Sequence, residues 1–334
     1  MTQPTIVENG RRLTLARRMQ YALETAAAFV AIVFFRLFSV DRASAIGGWF
    51  GRNLMARLGV TNRARVNLRN ALPGISDTEV GRIVRAMWDN LGRTAAEYGH
   101  LAAFRMNGDD PRLVCEGYEH IRAALARGKG AIVVSGHFAN WEMMILTSGQ
   151  YGTPGGVVYR PPNNPWVDRW ITGQRVLHGK LEMITKGAQG TRRIFTLLRR
   201  GEAIHMLVDQ KTNEGVPVPF FGRPAMTTPA PAALALKLGA IIVPAVARRV
   251  AGSRFRMTVY PPIEPPLPTG DHARDIQAFT EKISSFIEER VRERPEQWLW
   301  IHRRWTEPGG LVRKRAQALL PGAGPAESAG SNRS

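Results

Sequence analysis

Ser135-Gly136-His137-Phe138-Ala139-Asn140-Trp141-Glu142 places an imidazole and a carboxylate five positions apart, directly after an apolar run. These are the parts of a general base. A carboxylate against the ring fixes the tautomer of His137 and favours the imidazolium, which makes it a better proton acceptor. One straight helix would set the two side chains ~140° apart. A loop that turns into a helix at Asn140, a residue suited to N-capping, lets Glu142 reach the ring. The plainer alternative is a capping histidine and a surface glutamate at a helix start. No residue reads as a covalent nucleophile. Ser135 lacks the G-x-S-x-G turn, and Cys115, the single cysteine, lies on no motif. No metal is expected, because the chain has no HExxH, histidine triad or paired acidic loop. His205, inside an apolar run, reads as a core histidine.

The elements that position this pair follow from hydrophobic pattern. Ala131-Ile132-Val133-Val134-Ser135 has the continuous apolar character of a buried parallel strand. His137 then sits at that strand's carboxyl end, where open α/β sheets place ligands. A helix over Tyr118–Arg127 precedes it, with Gly128 and Gly130 as stop signals. Helix over Thr191–Arg200 leads to strand Ala203–Asp209, and helix over Thr228–Leu238 to strand Ile241–Ala247. Strand Phe255–Tyr260 and a long amphipathic helix over Asp275–Arg294 complete the pattern. Such alternation predicts an α/β fold with helices on both faces of a sheet. Residues 43–108 read as a helical part, 109–306 as the α/β domain, and 307–334, rich in Gly, Ala, Pro and Ser, as a disordered tail.

The 46 Lys+Arg against 27 Asp+Glu leave a net charge of +19, which seeks polyanions: nucleic acid, anionic lipid headgroups or acidic carriers. Without an RNA-recognition signature, zinc-finger spacing or helix-turn-helix, nucleic acid is not expected as a partner. Residues 1–42 stand apart. Arg11, Arg12, Arg17 and Arg18 precede an apolar run from Ala26 to Phe35. That run is shorter than the ~20 residues of a bilayer span, and Tyr21–Val40 reaches this length only with Glu24 and Arg36 inside it. The segment reads as an interfacial or marginally spanning anchor on anionic lipid headgroups, with a buried core helix as the alternative. Arginines from Arg42 to Arg69 on its C-terminal side place the bulk of the chain on the cytoplasmic face.

The His137-to-Glu142 segment resembles the His-x4-Asp/Glu signature of glycerolipid-type acyltransferases, and its HFxNWE form the late acyltransferases of lipid A biosynthesis. Four further blocks are similar to that family and follow in order. They are Tyr159-Arg160-Pro161-Pro162-Asn163-Asn164-Pro165 with Gly173-Gln174-Arg175 after it, Val208-Asp209-Gln210, Val218-Pro219-Phe220-Phe221-Gly222, and Pro295 to Trp305. The resemblance implies a mixed sheet surrounded by helices. It also implies transfer of a fatty acyl chain from acyl carrier protein to a hydroxyl of a lipid A precursor, a glycolipid acceptor, forming an acyloxyacyl ester. No cofactor is implied beyond the donor's phosphopantetheine thioester, coenzyme A being the alternative carrier. Direct attack by the hydroxyl, with His137 as base and Glu142 behind it, is the simplest mechanism.

Arg175 or backbone amides near Gly136 are then the candidates for oxyanion stabilisation. Arg160 is a candidate grip on a phosphate of the lipid or the pantetheine arm. Asp209 either orients Arg175 or Arg160 or caps a strand, and Gln210 beside it joins the substrate-binding set. Asn164 is either a ligand or a turn residue. His302, Arg303 and Arg304 either contact carrier or lipid phosphates or belong to a turn anchored by Trp298, Trp300 and Trp305. The alternatives are an enzyme of the same fold acting on a phosphatidylinositol mannoside, a lysophospholipid or an ornithine lipid, and a non-catalytic basic membrane-surface binder.

Overall fold

A computed structural model describes residues 7–8, 11–12, 14–176, 179 and 181–305. The tail expected at 307–334 lies outside the described residues. Seven strands form the main sheet: β1 (Leu113–Glu116), β2 (Ala131–Ser135), β3 (Gly155–Tyr159), β4 (Leu181–Thr185), β5 (Ala203–Leu207), β8 (Ile241–Ala251) and β9 (Arg254–Val259). Their order is β1-β9-β8-β2-β5-β3-β4. Only the β8–β9 pair is antiparallel, so the sheet is mixed. A separate hairpin, β6 (Val216–Phe220) and β7 (Arg223–Thr227), stands outside it.

The central strands are buried on both faces, and the pleat divides their side chains between two cores. Ile132, Val134, Ile204 and Ile242 pack with residues of α4 (Asp77–Glu97), α8 (Ala188–Arg199), α9 (Ala230–Leu238) and α10 (His272–Glu293). Ala131, Val133, Val243 and Ala245 pack with residues of α5 (Glu119–Ala126) and α6 (Glu142–Gln150). This is the expected α/β architecture. Its strands β1, β3 and β4 and the hairpin have no counterpart among the predicted elements. β3 reads Gly-Gly-Val-Val-Tyr and β4 is half polar, so neither presents a long apolar run. Pro217 and Pro219 argue against a strand, but they are tolerated because β6 has a single partner. The hairpin turns at Phe221 and Gly222, both with positive φ, as a two-residue turn requires.

Before the sheet come α1 (Leu15–Arg36), α2 (Val40–Asn53), α3 (Thr61–Ala71) and α4, followed by a 3-10 segment, Tyr98–Ala103. Helix α1 is no core helix: Tyr21 is its one buried residue, while Leu15, Leu23, Phe29 and Val30 are well exposed. Its 22 residues reach ~33 Å, which matches a hydrocarbon layer of ~30 Å. It is the one described helix long and apolar enough to cross a membrane. Its C-terminal end is tied to the 3-10 segment, where Arg36 Nε donates to Gly99 O (2.9 Å).

Helices α2 and α4 approach backbone to backbone. A Cβ on Gly92 would lie 2.1 Å from Gly47 O, and one on Gly51 would lie 2.0 Å from Trp88 O. Glycine is therefore required on both helices at this crossing.

Candidate active site

β2 and β5 are adjacent parallel strands in register, Ser135 opposite Leu207. Two residues beyond each, at the carboxyl end of the sheet, come His137 and Asp209. Asp209 Oδ1 accepts from His137 Nδ1 at 2.7 Å, and Oδ2 accepts from the His137 backbone N–H at 2.7 Å and from Trp298 Nε1 at 2.8 Å. The carboxyl group is fully buried. Burial pushes its pKa up, but the His137 imidazole and these hydrogen bonds outweigh that and hold it far below the usual carboxylate range. A carboxylate bound to Nδ1–H leaves Nε2 as the free base. Gln210 Nε2 donates to that nitrogen at 3.1 Å and also lies 3.0 Å from His302 Nε2. The two imidazoles stack edge-on at 4.9 Å between ring centres. Burial, with His137 and Arg63 adding to it against Asp209, brings the His302 pKa down to about 4, so His302 is neutral near pH 7.

Glu142 goes elsewhere. It opens α6, and its fully buried carboxylate receives Arg175 Nε (2.7 Å) and Nη2 (2.6 Å) as a fork, together with the Tyr98 hydroxyl. The expected Glu142–His137 contact is absent among the described residues, and Asp209 takes its place. The reason is local. Ala139 adopts φ 46°, Asn140 Oδ1 accepts from Glu142 N (3.2 Å), and the resulting turn sends Glu142 toward α7 (Pro165–Arg175), while the ring of His137 faces the neighbouring strand end. Arg175 is accordingly the partner of Glu142, not of Asp209. Its position in the last turn of α7 also sets its guanidinium 5.7 Å from the Tyr159 ring centre.

The left-handed turn at Ala139 is held from three sides. Asn90 Nδ2 and Thr94 Oγ1 both donate to Ala139 O at 3.1 Å, and Ala139 N donates to Gln297 O at 2.8 Å. Glu97, fully buried, accepts from Asn140 Nδ2 (2.9 Å), Ser44 Oγ (2.8 Å) and Arg249. Neither Glu97, Tyr98 nor Arg249 is flagged by the sequence, since each lies far from the motif and on no motif of its own. Only a buried-carboxylate argument at the end of an amphipathic helix would have found Glu97.

The remaining predicted residues separate. Asn164 is buried as the N-cap of α7: Oδ1 accepts from Trp166 N (3.1 Å) and Nδ2 donates to Tyr21 O (2.9 Å), which joins α7 to α1. Its amide is thus engaged in the fold. Arg160 and Arg303 are exposed. Arg304 is 1 % exposed, donates to Thr227 Oγ1 (2.8 Å) and lies over the Phe220 ring, so it is a core cation and not a surface contact; burial lowers its pKa to about 10. Trp298, Trp300 and Trp305 do anchor the turn, and a bridge between Phe138 and Trp298 presses it against the His137 loop. Ser148 Oγ lies 2.8 Å from His205 Nε2, a nucleophile-like pair, but both residues are sealed in the core and burial brings His205 down to about 4.

Gly136 has no room for a side chain: a Cβ would lie 2.8 Å from a Phe138 ring carbon and 3.1 Å from Asp209 Oδ2. Gly136→Ala is expected to shift the His137–Asp209 pair and lower kcat by roughly tenfold or more, since small displacements of catalytic groups are costly. Unchanged kcat in a variant of normal thermal stability would show that the pair tolerates the shift.

The family model described as "Bacterial lipid A biosynthesis acyltransferase" matches residues 11–307. The chain is 32 % identical over 254 residues to the lipid A biosynthesis lauroyltransferase of Escherichia coli (strain K12), covering 73 % of this chain and 79 % of that one. It is 27 % identical to the lipid A biosynthesis palmitoleoyltransferase of the same organism, over 74 % and 79 % of the two chains. It is also 25 % identical to the phosphatidylinositol mannoside acyltransferase of Mycobacterium tuberculosis (strain ATCC 25618 / H37Rv), over 76 % and 80 %. With the family match running through every element that builds the His137–Asp209 site, this chain belongs to the bacterial lipid A biosynthesis acyltransferase family.

Proposed function

We propose that this acyltransferase moves a fatty acyl chain from the phosphopantetheine thioester of acyl carrier protein to a hydroxyl of a lipid A precursor, at the cytoplasmic face of the inner membrane. The observation that carries the mechanism is the Asp209–His137 pair, with Nδ1 committed to the carboxylate and Nε2 open to the exposed Gln210. The acceptor hydroxyl displaces Gln210 and gives its proton to Nε2 as its oxygen attacks the thioester carbonyl. The tetrahedral oxyanion collapses, the C–S bond breaks, and the departing thiolate takes the proton back from the imidazolium. No acyl-enzyme is formed. Ser135 is buried with its hydroxyl facing Gly136 O, and burial raises the Cys115 thiol to about 11, far from a reactive thiolate. The Arg175 fork is spent on Glu142, so backbone N–H groups of the Gly136 loop are the better oxyanion donors.

The test is an acyl-transfer assay with the full chain, lauroyl-loaded carrier or coenzyme A as donor, and a lipid A precursor or a phosphatidylinositol mannoside as acceptor. Mass spectrometry is expected to show one added acyl chain on the lipid A precursor. Product on the mannoside alone would overturn the acceptor assignment. The charge of +19 also favours an acidic carrier through steering, which weakens as the Debye length falls from ~10 Å at 0.1 M to ~3 Å at 1 M salt. KM for the carrier is therefore expected to rise steeply with salt and KM for acyl-coenzyme A only slightly. Exposed Arg303 is the candidate contact, and Arg303→Glu should raise KM for the carrier more than it lowers kcat. Equal salt slopes for the two donors would remove the steering argument.

A further inference from the structure

Between the end of α2, the 3-10 turn Met55–Arg57, α3 and α4 lies an open cavity of ≈ 300 Å³ whose walls carry Arg52, Arg57, Arg65 and Arg85. Among the described residues only Arg52 has a carboxylate partner there, Asp89. Arg65 and Arg85 donate to the neutral amide oxygens of Asn62 (3.0 Å) and Asn53 (3.1 Å), and Arg57 is exposed with no ion pair among the described residues. Cations gathered in a concavity with so little counter-charge repel one another and raise the local potential for an anion. Guanidinium forks are suited to phosphate oxygens.

The same stretch of chain exposes large apolar side chains. Phe50, Leu54 and Leu58 recur at four-residue spacing, and Trp49 stands beside them, each between 39 and 51 % exposed. Exposed leucines and an indole next to a cationic pocket suit the headgroup boundary of a bilayer, where apolar groups enter the lipid and arginines meet phosphate. An acidic carrier or a nucleic acid would use the charge and leave the leucines unexplained. The pocket lies one 14-residue helix, ~21 Å, from the membrane-competent α1, since three residues separate α1 from α2 and the pocket sits at the C-terminal end of α2.

We propose that the Arg52/Arg57/Arg65/Arg85 pocket binds the phosphate of an anionic phospholipid headgroup, and that with Phe50, Leu54 and Leu58 it forms a second membrane contact besides α1. It holds the catalytic domain down on the bilayer and does not depend on which acceptor is acylated.

Gly81 lines the pocket on α4, is exposed, and has nothing within 4 Å of a built Cβ. Gly81→Glu thus delivers an anion to the pocket without disturbing the fold, and Gly81→Gln is its uncharged twin. The full chain carrying Cys115→Ser and Leu58→Cys, spin-labelled at 58, is reconstituted into phosphatidylcholine vesicles with increasing phosphatidylglycerol. Shielding of the label from an aqueous relaxation agent is then read. The label is expected to become shielded as phosphatidylglycerol rises. Arg57→Gln and Arg65→Gln should each shift the half-shielding point about fivefold, the effect of one basic residue near an anionic surface. Gly81→Glu should shift it similarly, and Gly81→Gln should not. A label that stays aqueous at every composition would overturn the proposal, as would equal effects of the two Gly81 variants. Shielding by acyl carrier protein in the absence of lipid would assign the pocket to the carrier instead.

Discussion

His137→Ala is expected to lower kcat for acyl transfer by ~10²–10⁴-fold, the usual worth of a positioned general base, and to lower the melting temperature as well, because it takes one partner from the buried Asp209 carboxylate. Two donors to Asp209 remain, the backbone N–H of residue 137 and Trp298 Nε1, so the variant is expected to stay folded. The companion variant Asp209→Asn is expected to be nearly as slow and also less stable. Asp209 accepts from three donors, and an asparagine in its place has one oxygen for them and an NH2 facing at least one N–H. Steady-state kinetics with melting curves on both variants check this. Near-normal turnover in a folded His137→Ala enzyme would end the general-base mechanism.

Glu142→Ala should act through folding before it acts through chemistry. It strands the Arg175 guanidinium in a buried site and removes the acceptor of the Tyr98 hydroxyl, whose pKa burial and Glu142 hold well above the ordinary phenol value. Breaking one side of a buried ion pair costs about 3–5 kcal/mol, several degrees in melting temperature. Arg175→Met should cost a similar amount, and Glu142→Leu combined with Arg175→Met should cost clearly less than the sum, as residues sharing one interaction do. Activity is expected to follow the folded fraction in this series. A stable Glu142→Ala enzyme that is a hundredfold slow would instead place this carboxylate in the chemistry, as the motif spacing alone suggests.

The contrast between Asp209 and Glu142 shows what a sequence carries and what it does not. β2 is readable because five consecutive buried residues leave a continuous apolar run, and His137 at its end follows from that. The carboxylate behind His137 is not readable from spacing, because the partner comes from a strand 72 positions away that becomes a neighbour only when the sheet assembles. Arg304 misled for a related reason. In a chain this basic an arginine is expected at the surface, and only the Phe220 face and Thr227 Oγ1 around it explain a buried one. Strands β3 and β4 escaped because glycine and polar residues break their pattern, and their place is set by pairing with β5 and with each other.

The glycine contact between α2 and α4 has a practical bearing on how variants of this enzyme would be read in a screen. Gly92 stands five residues before Glu97 and six before Tyr98, on one rigid helix that continues into the 3-10 segment. A methyl group at Gly47, Gly51 or Gly92 must push the helices apart by about an ångström to relieve contacts this short. That displacement is expected to reach Glu97 and Tyr98, whose bonds to Asn140 and Glu142 hold the turn that follows the catalytic His137. Shifts of this size at catalytic groups cost as much as a hundredfold in rate. Alanine at any of these three positions would therefore score as a loss of catalysis in an activity screen, although none of them touches a substrate.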